Sequence, residues 1–244
     1  YFPAYDTPAT NHGVAEGLDG ERNQRVFGKL SWGGWTVQAA WVEREKNVPT
    51  NPSAYTAFNT PFPTRDESAF LGVRHETDLG LQLYSSSSLM LGRYAYGNRR
   101  EYALNEDGVY DEGEQYGVRD YEGAWWRFDQ KFVGRWFVDH TLVFGAELRD
   151  DHRQSFHRRF LSPAGEVMDR DDGERSRRTF SLYIADDYRL NEQWTLNLGV
   201  RHDDADDLDA NLSPRVALIW QPDPATTWKA SYSEAFKMPN ANDR

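Results

Sequence analysis

The stretch FSLYIADDYRLNEQWTLNLGVRHDD, residues 180–204, decides the fold. Phe180, Leu182 and Ile184 alternate with Ser181, Tyr183 and Ala185. After a polar connector at Asn191 to Gln193 the rhythm returns in Trp194, Leu196, Leu198 and Val200, interleaved with Thr195, Asn197, Gly199 and Arg201. A period of two marks a strand with unlike faces, whereas a helix would bring its apolar residues together every three or four positions. The stretch therefore predicts a hairpin, about 176–190 paired with 194–203.

Four more hairpins follow the same rule. Val26, Gly28, Leu30 and Trp32 lead into Gly33-Gly34, whose freedom to adopt positive φ suits a tight reversal, and Trp35, Val37, Ala39 and Trp41 return. The others join about 66–77 to 81–96, 120–133 to 139–153, and 212–221 to 227–236. In the third, Leu142, Phe144, Ala146 and Leu148 oppose Thr141, Gly145, Glu147 and Arg149; in the last, Val216, Leu218 and Trp220 oppose Arg215 and Ala217. The connectors alternate in length. Tight ones fall at Gly33-Gly34, Thr77 to Gly80, Gly134-Arg135, Asn191 to Gln193 and Pro222 to Thr226, and long polar ones at roughly 46–65, 98–119, 154–175 and 204–211. Short turns on one side and long loops on the other are the pattern of a transmembrane β-barrel. Several runs reach the roughly nine to eleven residues that a tilted strand needs to cross a bilayer, against about five or six for soluble strands.

Composition bounds the function. The chain holds nine Trp and thirteen Tyr, no Cys, and a net charge of -11. Abundant Trp and Tyr suit interfacial belts, with Trp35 and Trp194 beside tight turns and Tyr94 and Tyr96 toward a loop. Without Cys there is neither a disulfide scaffold nor a thiolate metal site. No apolar run is long enough for a membrane helix, and a mean hydropathy of -0.82 does not speak against a barrel whose strands are apolar only at alternate residues. An acidic chain without a clustered basic face argues against nucleic acid. The chain opens at Tyr1 without an initiator Met or signal peptide, so it is read as processed or as a fragment.

From Leu212 onward, LSPRVALIWQPDPATTWKASYSEAFKMPNA resembles the barrel of TonB-dependent outer-membrane receptors, through Ser213-Pro214-Arg215 and Ala235-Phe236-Lys237-Met238-Pro239-Asn240. Lys237 stands where the family more often has Arg, and Ala185 where it often has Gln. The resemblance implies an all-β fold: an antiparallel transmembrane segment of about ten strands belonging to a 22-stranded barrel. It reads as one partial barrel domain over 1–244, with the plug domain absent. It further implies a receptor in the bacterial outer membrane that imports a scarce, large nutrient such as a ferric siderophore or cobalamin. Expected partners are outer-membrane lipid and lipopolysaccharide, the TonB complex acting through the missing plug, and a metal-chelate or cobalamin ligand. No nucleic acid is expected, and the complete protein is expected to be a monomer. Pro214 is read at a strand start, where its missing N–H breaks no ladder.

Catalysis finds no support: G-x-S-x-G and P-loop patterns are absent, and Ser85 to Ser88 have no identifiable base. The six His are scattered and lack HExxH spacing, so no metal site or cofactor is expected. The acidic runs at Asp203 to Asp209 and Asp169 to Glu174 do not match a calcium loop. The candidate ligand residues are the aromatic and basic side chains of two long loops: Arg99, Arg100, Tyr102, Tyr110 and Tyr116 in one, Arg158, Arg159 and Phe160 in the other. An alternative role for these is contact with lipopolysaccharide or neighbouring loops. Three other functions fit parts of the pattern: a ten-stranded omptin-like protease using His202 with Asp203-Asp204, a passive porin, and a soluble β protein.

Overall fold

The structure, a computed structural model, describes residues 2–48, 62–102 and 115–238. Ten strands follow one another: β1 (Glu21–Trp32), β2 (Trp35–Asn47), β3 (Pro63–Asp78), β4 (Leu83–Tyr102), β5 (Gln115–Gly134), β6 (His140–Leu161), β7 (Val167–Arg189), β8 (Trp194–Ala205), β9 (Leu208–Asp223) and β10 (Thr226–Ser233). They form one antiparallel sheet in sequence order, and β1 and β10 remain as open edges. Two short 3-10 turns, Pro3–Tyr5 and Pro8–Gly13, precede it.

Register explains the faces. Leu30, Val37, Val73, Leu89, Phe128, Leu148 and Phe180 are successive cross-strand partners, an apolar row over β1 to β7. One residue along, Ser31, Thr36, Arg74, Ser88, Asp129, Glu147, Ser181, Asp203 and Asn211 form a polar row over β1 to β9. Because side chains alternate across a pleated strand, every apolar row lies on one face and every polar row on the other.

Burial runs opposite to that of a soluble protein. Ser181 is fully buried, yet its neighbours Leu182 and Ile184 are 47% and 51% exposed and Leu198 is 44% exposed. Among the described residues only Phe62 and Ala205 are buried apolar residues. Exposing this many large apolar side chains on one continuous face is untenable in water, and among the described residues there is no second sheet to cover it. The sheet is a segment of a transmembrane β-barrel, apolar toward lipid and polar toward the interior, and the soluble sandwich is excluded.

The tight turns lie where the sequence puts them. Gly33 and Gly34 have φ of 49° and 84°. Three other short turns are closed by side chains: Asp78 accepts from the Gly80 N–H at 2.8 Å, Asn191 from those of Gln193 and Trp194 at 2.9 and 3.0 Å, and Asp223 from Ala225 at 2.9 Å. At this end the apolar face carries Trp32, Trp35, Trp194, Trp220 and Trp228, with Trp194 and Trp220 stacked at 5.4 Å. Such a belt suits a membrane–water boundary.

At the other end the expectations need correction. The stretch 154–175 is not a loop: β6 continues to Leu161, a turn closed by Ser162 N–H to Glu166 C=O at 2.9 Å follows, and β7 begins at Val167. The stretch 204–211 reduces to a turn at Asp206-Asp207. Strands β4 to β7 run 20, 20, 22 and 23 residues, well beyond the span of a bilayer. Their polar upper halves remain strands because the backbone ladder is indifferent to side-chain polarity and cross-strand ion pairs hold both faces. Pro214 lies inside β9. Its carbonyl accepts from Glu234 N–H at 3.0 Å on the β10 side, so its missing N–H faces the point where β10 has ended at Ser233. Tyr94 and Tyr96, read as girdle residues, share the face of Met90 and Gly92 and so point to the polar side.

Candidate functional site

The centre of the polar wall is a charge network. Arg201 donates to Asp203 (2.8 Å), Ser181 (2.9 Å) and Glu147 (3.1 Å), and the Ser181 hydroxyl donates to Asp203 at 2.6 Å. Arg127 approaches Glu147 from β5 at 3.8 Å, and Tyr183 donates to Asp129 at 3.1 Å. Arg149 holds both carboxylate oxygens of Asp151 at 2.8 Å and lies 4.7 Å over the Trp125 ring, which rests on Gly92. A two-pronged Arg–carboxylate contact fixes orientation as well as charge.

Toward the long-strand end, the same face carries an aromatic and basic mouth. Tyr96, Tyr121 and Phe156 are cross-strand partners, with the two Tyr rings 5.9 Å apart. In the next row stand Asn98, Arg119 and Arg158. Arg158 lies 5.1 Å over Phe156, donates to the Tyr121 hydroxyl at 3.3 Å and meets Asp171 at 3.4 Å. Arg100 lies 4.7 Å over Phe62.

The sequence candidates divide between the faces. Arg100, Arg158 and Phe160 are at polar-face positions, and Tyr102 shares that register, its backbone pairing with Gln115. Arg99, Tyr116 and Arg159 are on the opposite face, with Arg99 stacked 4.0 Å over Tyr116 and Arg159 bonded to Asp120 at 2.8 Å. Tyr110 lies outside the described residues. None of those described stands in a loop; all are on strand extensions. Sequence reasoning missed Asn98, Arg119, Tyr121 and the Arg201 network. The signal was present in the i, i+2 polar series Arg127, Asp129, Lys131 and Glu147, Arg149, Asp151, which place charge along one face of a strand.

Part of each acidic run is held by neighbouring side chains, Asp203 by Arg201 and Asp171 by Arg158 among them. Asp207 accepts from Arg177 at 2.7 Å, and Asp172 is bonded to His157 at 2.8 Å and to Arg170. Among the described residues no group of three or more His, Cys, Asp or Glu is placed to hold a metal. His202 pairs across to Leu182 and Leu212 on the apolar face and Asp204 shares that face beside Phe180, while Asp203 faces the interior, so His202 and Asp203 are on opposite sides of the wall.

At the β6–β7 tip, the hydrogen bond from His157 and then that from Arg170 hold the Asp172 carboxyl below its usual value of 3.8. A carboxylate depressed in the folded state stabilises above the unfolded value and loses that contribution as pH falls through the folded value. Pepsin nicking of the tip should therefore increase as the pH falls below 3.8, and D172N should lack this pH dependence, as mapped by mass spectrometry of the fragments.

The comparisons with known proteins agree with this architecture. No curated protein matches the sequence. Among solved structures, the siderophore receptor PirA from Acinetobacter baumannii is 18% identical with a TM-score of 0.63, covering 97% of this chain and 36% of its own. The FpvAI–pyocin S2 complex gives 11%, 0.61, 87% and 36%, and the unliganded ferric citrate transporter FecA 12%, 0.59, 88% and 36%. These likenesses concern the fold, and the chain spans about a third of each receptor's length. The model of the family described as TonB dependent receptor-like, beta-barrel matches residues 4–244, so the chain belongs to that family.

Proposed function

We propose that this chain forms ten strands of a bacterial outer-membrane importer that captures a scarce, large ligand, a ferric siderophore or cobalamin, at its extracellular mouth. Uptake is driven through a plug domain by TonB, with the plug supplied by polypeptide outside these residues. The carrying observation is the wall itself: a face of exposed Leu, Phe and Trp backed by continuous rows of Arg, Asp, Glu and Ser. Family membership supports the reading, as does structural likeness to a siderophore receptor and a ferric citrate transporter. The short-turn end, with its Trp belt, faces the periplasm, and the long charged extensions stand outside the cell among lipopolysaccharide.

The test uses the full-length gene in its host. Uptake of radiolabelled ferric chelates and of labelled cobalamin should include one substrate whose import is lost both on deleting the gene and on deleting tonB. A steady open conductance of the full-length protein in planar bilayers, with no TonB-dependent substrate, would replace the importer with a porin.

A further inference from the structure

A polar side chain set against hydrocarbon is costly unless its hydrogen bonds are met within the wall. Several on the lipid-facing side of this sheet have such partners: the Gln130 amide donates to the Ser85 hydroxyl at 2.8 Å and accepts from that of Ser87, the Asp186 carboxylate pairs with His140 at 2.6 Å, and the His75 ring lies 4.4 Å from that of Trp35. His202 differs from these. It is exposed on the same side, between Leu182 and Leu212, and its imidazole has no hydrogen-bond, ion-pair or ring partner among the described residues.

His202 stands at the edge of a groove. Gln130, Ala146, Leu182, His202 and Leu212 are successive cross-strand partners, and the short side chain of Ala146 leaves a hollow between its longer neighbours. The hollow holds about 480 Å³, within the range of small-ligand sites, and its lining is almost wholly apolar. Phe132 and Phe144, stacked 5.3 Å apart, close one end, and Val200 and His202 stand at the other. Along β8, His202 lies eight residues beyond Trp194 of the belt, which at about 3.3 Å per residue and about 40° of tilt puts it about 20 Å above the belt in an apolar band about 25 Å tall. Phe144 is only four residues beyond the start of β6 at His140. The groove therefore descends toward the bilayer centre from just below the long-strand boundary, where Asp204 and the Arg178–Asp150 pair at 3.6 Å occupy the same side.

Building on the importer reading, which puts the long-strand end outside the cell, we infer that this groove is a lateral site for one β-hydroxyacyl chain of lipopolysaccharide. Lipopolysaccharide forms the outer leaflet at that end, and its primary acyl chains carry a hydroxyl close to the headgroup, at the depth of His202. The hydrocarbon lies over Ala146 and ends against Phe132 and Phe144. The hydroxyl meets either nitrogen of the His202 ring, as donor to one or acceptor from the other. A chain held in this way is a fixed part of the wall, unlike the exchanging lipid around it.

Native mass spectrometry of the full-length receptor in detergent tests this with lipid A, whose primary chains are β-hydroxylated, and dimyristoylphosphatidylglycerol, whose chains are not. One lipid A should be retained per barrel in preference to the phospholipid. H202L should weaken that retention about three- to tenfold, the loss of one hydrogen bond, and remove the preference. H202N, which keeps a donor and an acceptor, should restore part of it. A146F, which fills the hollow, should abolish it, and L71F, on the same side of β3 but outside the groove, should leave it unchanged. Correct folding of each variant is checked by heat-modifiable electrophoretic migration. Equal retention of the two lipids, indifference of lipid A retention to H202L and A146F, or a receptor dimer that A146F abolishes would overturn the assignment. Loss of the lipid preference with TonB-dependent uptake intact removes the groove assignment and leaves the importer standing; absence of any TonB-dependent uptake removes the importer, whatever the lipid result.

Discussion

Replacing Leu182 with arginine should destabilise the barrel by about 2–4 kcal/mol, the cost of placing this charge on the lipid face near the bilayer midplane. Leu182 lies between Phe180 and Ile184 in the apolar band of β7, 47% exposed, with Ala146 and His202 as its cross-strand partners. In a soluble protein a half-exposed leucine would accept arginine with little consequence and some gain in solubility. In lipid the guanidinium must either lose its hydration or thin the bilayer around it. Urea titration of the full-length receptor refolded in vesicles should show a lowered midpoint for L182R and little change for a Leu182→Ile control. An unchanged midpoint for L182R would mean that this face does not meet lipid.

Gly145→Val should have the larger effect and prevent correct pairing of β5 with β6. A Cβ at this position would meet the Gln130 carbonyl oxygen on one side and the Tyr183 hydroxyl on the other. The side chain of Tyr183 could swing away only by giving up its bond to Asp129, and the carbonyl belongs to the backbone of the neighbouring strand and cannot yield without breaking the ladder. Overpacking of a fitted site costs about 1–3 kcal/mol, and contact with backbone on one flank and with a hydrogen-bonded tyrosine ring on the other puts this substitution at or above the upper end. Loss of the folded, heat-modifiable species is the expected result. Gly28→Val, at a glycine with open space around it on the apolar face of β1, should fold normally.

The hairpins were legible because lipid on one side and water on the other impose a period of two, and residues such as Leu196, Leu198 and Val200 record it directly. The tight turns were legible for an equally local reason: Gly33-Gly34, Asn191 and Asp223 carry their turn chemistry in their own side chains or lack of them. The strand extensions were not. In Phe156 to Leu161 and Val167 to Arg175 both faces are outside the bilayer, so no alternation survives, and only partners distant in sequence, such as Asp120 for Arg159 or Asp172 for His157, reveal a strand.

The sequence by itself determined an antiparallel barrel wall, its apolar face and its short-turn end, because each of these depends on spacing within about ten residues. Only the tertiary structure decided which candidate side chains share a site. Counting by twos along β6 from Leu148 would put Arg158 on the apolar face, but the irregularities between Ala124 and Trp126 and between Asp151 and Gln154 reverse the alternation. A bulge adds a residue to one strand without adding a partner to the other, turning every later side chain to the opposite face. That single insertion sends Arg158 to the interior beside Arg119 and Arg159 outward to Asp120.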